Sequence, residues 1–490
     1  MTSLVPRKPY TEDELRQLYP PGLELQLVQI LMRHGERTPV NARFQNTGLA
    51  PFWPYCANVR QMTAAVVSRD GGGEDIPPLT KLDWQRRLET FGQSDEPVMA
   101  AGPRGQIENV CDMGSLTDAG RHSTYKLGLR LRELYVDRLK FLPATINSTN
   151  SLYLRATPIP RALESMQQTF SALYPPSTRE PDQTGKFPAP VIVMRAPGEE
   201  TLFPNDYNCR RFAQLSRAFA QRAADKWNTT EDMEYLNKLI GNWMPPGRRV
   251  AVDSRPGLSG ILDTVNATDA HGPETKLPPE FYDKKGRQIM ENIAVEEWFA
   301  GYRESREYRT LGIGGLLGDV VGRMVGSAEE RDTQTKFGLS GCHDTTIAAV
   351  LASLGAYEGG SWPPFTSHIA IEMFRKSGHT PTRPSWWSTL FGKASSGSGI
   401  GRKPTAELTS TEKQKLDGLY VRLRYNDEPI TLPGCKKPGN HLEGDESFCT
   451  LVSFQRHGLQ DQYTNHWVCR RHLKRSWTNS LRVTGDKSVV

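Results

Sequence analysis

Two strand-like runs some three hundred residues apart each lead into a histidine-bearing loop, and this limits the fold more than any other feature. The first is Leu25-Gln26-Leu27-Val28-Gln29-Ile30-Leu31-Met32, apolar enough for a buried strand, followed by Arg33-His34-Gly35-Glu36-Arg37-Thr38-Pro39. The second is the short run Lys336-Phe337-Gly338-Leu339, followed by Ser340-Gly341-Cys342-His343-Asp344-Thr345-Thr346 and then an apolar, helix-like stretch over 347–354. Histidines at strand ends, one of them opening a helix, suit an anion, because helix N-termini present free N–H groups and a positive dipole end. If both loops serve one site, the core is discontinuous and the chain between them is an insertion.

The residue types point to phosphate. Arg33 and Arg37 can grip the oxygens of one phosphate with paired, charge-assisted hydrogen bonds. His34 between them would face the phosphorus, and a neutral imidazole is a competent nucleophile. Gly35 lets the backbone turn sharply and approach a ligand. His343 can donate a hydrogen bond to the same anion. Asp344 can hold a proton for a leaving alcohol, or merely cap the helix behind it. A third piece is Leu152-Tyr153-Leu154, then the proline-broken loop Arg155-Ala156-Thr157-Pro158-Ile159-Pro160, with Arg161 at the start of the next helix. A cation there is unfavourable unless it serves an anion.

The chain supplies a control. Arg456-His457-Gly458 repeats the triplet, but Gln460 stands where the second arginine belongs and no Thr-Pro follows, so it reads as an ordinary helix or loop segment. Likewise Gly312-Ile313-Gly314-Gly315-Leu316-Leu317-Gly318 has the wrong glycine spacing for a nucleotide loop and no strong strand before it; a closely packed helix fits better.

Taken together, Arg33-His34-Gly35-Glu36-Arg37-Thr38-Pro39 and the distant His343-Asp344 resemble the histidine acid phosphatases, within the superfamily that also holds the phosphoglycerate mutases. Gly114 to Gly120 with Leu127 to Tyr135, the run His368 to Phe374, and Ser447 to Phe454 resemble later segments of that family, in the right order. The resemblance implies a covalent phosphohistidine on His34, Asp344 as proton donor, and Arg33, Arg37, Arg161 and His343 on the phosphoryl oxygens. It implies no metal and no cofactor, and a small-molecule phosphomonoester as substrate. An Asp directly after the second His favours hydrolysis over transfer. Where the family often carries Ser-Thr-Asp, this chain has Ala156-Thr157-Pro158, which leaves Arg155 in a supporting role. Relatives of this kind are often disulfide-bonded, so cysteines matching theirs, such as Cys209 and Cys449, could pair by that likeness. The alternatives are a non-catalytic phospho-ligand scaffold and a phosphotransferase of the same superfamily.

The expected fold is α/β: a three-layer sandwich with a mixed central sheet, plus a mainly α-helical cap insertion. Strands are expected at 25–32, 152–154, 191–194, 336–339, 369–374 and 420–425, and core helices at 115–135, 162–174 and 313–325. The divisions are an N-terminal extension over 1–23, core over 24–199, a helical cap over 200–308 with helices at 208–227, 233–242 and 283–308, core again over 309–456 with a flexible loop insertion at 376–404, and a tail over 457–490. Arg43 could reach substrate, and Glu200, Asp206, Arg210 and Arg211 could line the inner wall of the cap.

Net charge is +6 over 490 residues, which suits an anionic substrate and is too weak to argue for nucleic acid. Seven cysteines without a C-x-x-C pair exclude the usual zinc patterns, and the odd count leaves a free thiol. The first 23 residues have no apolar stretch of signal-peptide length, and no run of about 20 apolar residues exists to span a bilayer. A cytoplasmic location is therefore expected, with mitochondrial or non-standard secretory routes as alternatives. Oligomeric state is unreadable from the sequence.

Overall fold

The computed structural model describes residues 8–67, 79–206, 208–329, 334–357, 360–378 and 399–459. Its centre is a mixed sheet. From edge to edge the strands are His441–Leu442, Asp445–Thr450, Leu419–Tyr425, His368–Lys376, Leu23–Arg33, Phe337–Cys342, Leu152–Ala156 and Ile192–Val193, with Glu428–Ile430 paired to Leu419–Tyr425. The strand Leu23–Arg33 runs parallel to Phe337–Cys342 and antiparallel to His368–Lys376.

Helices cover both faces, which is why the first strand reads as an almost unbroken apolar run. Leu27 and Leu31 point into one cluster, with Val320, Val321 and Met324 of the helix Gly314–Ala328 and Ile347 and Leu351 of the helix Asp344–Ser353. Val28, Ile30 and Met32 point into the other, with Leu127 and Leu131 of Asp118–Arg132 and Met166 and Phe170 of Pro160–Leu173. This alternation sets the register, since a slip of one residue would exchange the two faces.

Register then brings the motifs together. Arg33 pairs with Cys342, and Ala156 pairs with Gly341, on neighbouring parallel strands. The next residues, His34, His343 and Thr157, therefore leave the sheet side by side at its carboxyl edge, the place where open α/β sheets bind ligands. Backbone bonds carry the order past the strand ends: His34 N donates to Cys342 O at 3.0 Å and Thr157 N to Gly341 O at 3.2 Å.

Between the sheet halves lie the helices Arg210–Trp227, Glu231–Ile240, Leu258–Asp269 and Lys284–Glu304. They share an apolar cluster of their own, which includes Leu236, Ile261, Val265 and Ile293 and also takes in Phe44 and Trp53 from beyond the first motif loop.

Several local expectations change. The helix expected over 115–135 is Asp118–Arg132 followed by a π-helical stretch, Glu133–Arg138. The one expected over 283–308 is broken at Ser305, whose side chain accepts from Tyr308 N and starts the helix Arg306–Gly312. The strand expected over 191–194 shrinks to Ile192–Val193 at the sheet edge. The glycine-rich run near 312 is helical, and a Cβ on Gly312 would come within 2.5 Å of the Phe212 ring, so glycine there serves close packing. The triplet Arg456-His457-Gly458 falls in the helix Leu451–Leu459. Most of 376–404, with Trp386 and Trp387, and nearly all of the tail lie outside the described residues.

Cys209 and Cys449 are both disulfide-bonded, though not to each other. Cys449 is bonded to Cys435, which ends a short turn packed on the same strand with Cα atoms 5.2 Å apart, well within disulfide reach. Cys56 is bonded to Cys111, and Cys209 belongs to another disulfide. Cys342 is a free thiol, and burial pushes its pKa up to about 12.

Candidate active site

Three loops, each leaving a different parallel strand, meet in one pocket. His34 and His343 lie edge to face with ring centroids 5.5 Å apart, both buried. His34 Nδ1 is 2.9 Å from the carbonyl of Gly35. A carbonyl can only accept, so Nδ1 carries the proton and Nε2 keeps a free lone pair. Burial holds the His34 pKa well below the usual histidine value, and Arg161, Arg33 and Arg37 push it further down. This imidazole is neutral and nucleophilic even in mild acid.

The loop that holds it is built by backbone contact. A Cβ on Gly35 would sit 2.3 Å from Gly120 O, and one on Gly120 would sit 2.2 Å from Glu36 O. Gly35 N donates to Ser165 Oγ at 3.1 Å, and Ser165 Oγ donates to Arg161 O at 2.7 Å. The first and third motifs are thereby fixed to each other.

Arg33 is buried, donates to the carbonyl of Pro363, and pairs with Asp344 Oδ2 at 2.8 Å, its guanidinium 4.2 Å from the Phe365 ring centre. Arg37 pairs through Nη2 with Asp263 Oδ1 at 2.6 Å. Arg161 Nη1 reaches Gly114 O at 3.4 Å; burial, then Arg37, lowers its pKa to about 10, so it stays cationic at neutral pH. The Nε groups of Arg33, Arg37 and Arg161 are all buried without an acceptor. Orphaned buried donors are costly, and three of them in one cationic pocket suit a multiply charged oxyanion.

His343 caps the helix Asp344–Ser353, and its Nε2 is 3.1 Å from Thr157 Oγ1. Burial and Arg161 hold its pKa low, against the pull of Asp344. Asp344 is the first residue of the helix, not its cap, and its side chain turns into the pocket. Burial favours the neutral acid there, but Arg33, Arg37 and the indole N–H of Trp362 outweigh it and hold the pKa down to about 2. All six residues expected to form the site, Arg33, His34, Arg37, Arg161, His343 and Asp344, converge.

Of the other candidates, Arg43 lines the cleft above them. Glu200 is buried beneath the site, where it binds Arg155 and accepts from Leu202 N at 2.7 Å. Arg155 also pairs with Asp319 at 3.3 Å, a supporting position. Arg210 and Asp206 are exposed, and Arg211 pairs with Glu307 on the surface. The cleft has a volume of about 350 Å³ and an apolar wall of Val40, Leu262, Trp298, Trp362 and Phe365. Asp263 and Trp362 escaped the sequence reading. Asp263 lies in a helix that the sequence did not announce, and only the Trp362-Pro363-Pro364 run hinted at a rigid loop.

The sequence profile of the histidine phosphatase superfamily (branch 2) matches residues 24–426, so the chain belongs to that family. It is a phosphomonoester hydrolase of the acid phosphatase kind, acting on small-molecule phosphoesters. A probable acid phosphatase of Schizosaccharomyces pombe is 36% identical over 444 residues, covering 89% of this chain and 92% of that protein. Human lysophosphatidic acid phosphatase type 6 is 26% identical over 360 residues, covering 72% of this chain and 74% of that one. In fold the chain is similar to a Hafnia alvei phytase, with a TM-score of 0.53 at 12% identity, covering 91% of this chain and 98% of the phytase.

Proposed function

We propose that the enzyme works through a phosphohistidine on His34, with Asp344 handling the proton. The convergence of His34 and His343 at 5.5 Å, ringed by Arg33, Arg37 and Arg161, carries this reading. Nε2 of His34 attacks phosphorus while the bond to the ester oxygen breaks, and Asp344 protonates that oxygen as it leaves. Water then attacks the phosphohistidine, Asp344 as carboxylate takes its proton, and the N–P bond breaks to free phosphate and the imidazole. The three guanidiniums neutralise the phosphoryl oxygens throughout, and His343 donates a hydrogen bond to them. Turnover should therefore withstand chelators.

In the free enzyme Asp344 is a carboxylate, so the proton it donates must come with the ester. A phosphate monoester has a second pKa of about 6, and below it the monoanion brings one proton into the pocket. The charge of the bound phosphate favours its transfer to Asp344. This supports an optimum in mild acid.

The apolar wall of the cleft suits a monoester with a hydrocarbon or aromatic tail. The relatives named for lysophosphatidic acid support testing such esters first. Disulfides, Cys56–Cys111 and Cys435–Cys449 among them, favour an oxidising compartment over the cytoplasm. Mass spectrometry of protein isolated without reductant tests that point.

Rapid-quench labelling tests the mechanism. Radiolabelled ester should yield acid-labile phosphoprotein within the first turnover, and His34→Ala should abolish it. Steady turnover without any labelled protein, or label persisting in His34→Ala, refutes the covalent step.

A further inference from the structure

The pocket holds a second carboxylate that the proposed reaction does not use. Asp263 lies on the helix Leu258–Asp269, whose residues Leu258, Ile261, Leu262 and Val265 are buried in the apolar cluster of the helical region. Its backbone is therefore fixed. Its two oxygens span three donors in and just after the first motif loop. Oδ1 accepts from Arg37 Nη2 at 2.6 Å, and Oδ2 accepts from Val40 N at 3.3 Å and from Arg43 Nη1 at 3.4 Å. Arg43 is held as well: it reaches Thr264 Oγ1 at 3.4 Å and lies against Gly260, where a Cβ would come within 3.0 Å of its guanidinium.

Two guanidiniums and a backbone N–H converging on one point are the makings of an anion subsite, and it shares Arg37 with the pocket that takes the scissile phosphate. Here the protein's own carboxylate fills it. A second phosphate on the substrate would have to displace Asp263 or bear its repulsion at close range, in a half-buried cleft where screening is weak. A single phosphate would keep the ion pairs in place. Selectivity built by placing a like charge where the wrong ligand must go is a recognised route.

We propose that Asp263 makes this a one-phosphate site: its carboxylate occupies the anion position between Arg37 and Arg43, so that compounds with a second phosphate close to the first are rejected. The proposal rests on the phosphate-pocket reading given above, and it names Asp263 as a specificity-determining residue rather than a catalytic one.

The test compares inorganic phosphate with methylenediphosphonate, whose two phosphorus groups are adjacent and resist hydrolysis. Calorimetric affinities are measured for the wild type, Asp263→Asn, Arg43→Gln and the double variant. Asp263→Asn should raise the affinity for methylenediphosphonate relative to phosphate at least tenfold, and adding Arg43→Gln should remove most of that gain. A rise confined to phosphate, an equal rise for both, or a gain indifferent to Arg43 overturns the proposal. Hydrolysis of p-nitrophenyl phosphate is followed in parallel. Its absence in the folded wild type would sink the phosphatase reading, while the binding ratios still decide the role of Asp263.

Discussion

Replacing Trp362 by Phe removes one hydrogen bond from Asp344 while keeping an aromatic ring in the loop. The indole N–H donates to Asp344 Oδ2 at 2.9 Å, and Arg33 Nη2 stands 2.8 Å from the same oxygen. A hydrogen bond to a charged group is worth about 1.5–3 kcal/mol, or roughly 1–2 pKa units. Asp344 should therefore rise from about 2 by that amount, back toward its unperturbed value of about 3.9. The sign of the stability effect follows. A carboxyl with a depressed pKa contributes stability above its unfolded pKa and loses it as pH falls through the folded one. At pH 7 the variant should thus be less stable by about 1.5–3 kcal/mol, and the gap should close between roughly pH 4 and pH 2. Loss of ring packing against Trp298 and Phe299 adds a penalty that pH does not change. Denaturant midpoints of both proteins across that range separate the two parts. A deficit of the same size at pH 7 and at pH 2.5 would show that the indole does not stabilise the Asp344 carboxylate.

Asp344→Asn should cut kcat about 10²–10⁴-fold for an alkyl phosphate and far less for an aryl phosphate, whose oxygen leaves without a proton; equal losses would remove Asp344 from the proton step. Gly35→Ala should lower kcat/KM about 100-fold, because the new Cβ meets Gly120 O at 2.3 Å and the nucleophile must shift; unchanged kinetics would show that the loop gives way freely. Glu372→Gln strips the carboxylate that binds Arg422 at 2.7 Å and Arg424 at 3.3 Å. The two buried guanidiniums left behind should cost about 3–5 kcal/mol, measured as a denaturant midpoint. Arg424 and Arg422 hold the Glu372 pKa down to about 2 against burial, so this contribution should persist at pH 5 and fade only in strong acid.

How much of this could be read from the residues depended on whether the signal was local. The strand Leu23–Arg33 showed itself because both its faces are buried and its loop chemistry follows at once. Strands at 369–374 and 420–425 were visible for the same reason. The hairpin Met62–Val67 with Leu79–Trp84 was not, since its residues are largely exposed and carry no clean alternation of burial. The helix Leu258–Asp269 was missed because Gly257, Ser259 and Gly260 blur its start. In the site, six residues declared themselves through motif spacing. Asp263 meets Arg37 across 226 residues and Trp362 meets Asp344 across 18, and nothing near either in the chain says what it faces. Glu372 shows the same limit: a glutamate in an apolar strand is readable only once Arg422, Arg424, Tyr19 and Tyr135 are seen around it.

The parallel pairing of Leu23–Arg33 with Phe337–Cys342 also sets a schedule. During synthesis the first strand emerges long before its neighbour exists, and its apolar edge must wait through some three hundred residues of further translation. Contacts so remote in sequence close slowly. Nascent or truncated chains that stop short of Asp344 should therefore be devoid of turnover and prone to capture by chaperones, and hydrolytic competence should be among the last properties the polypeptide acquires.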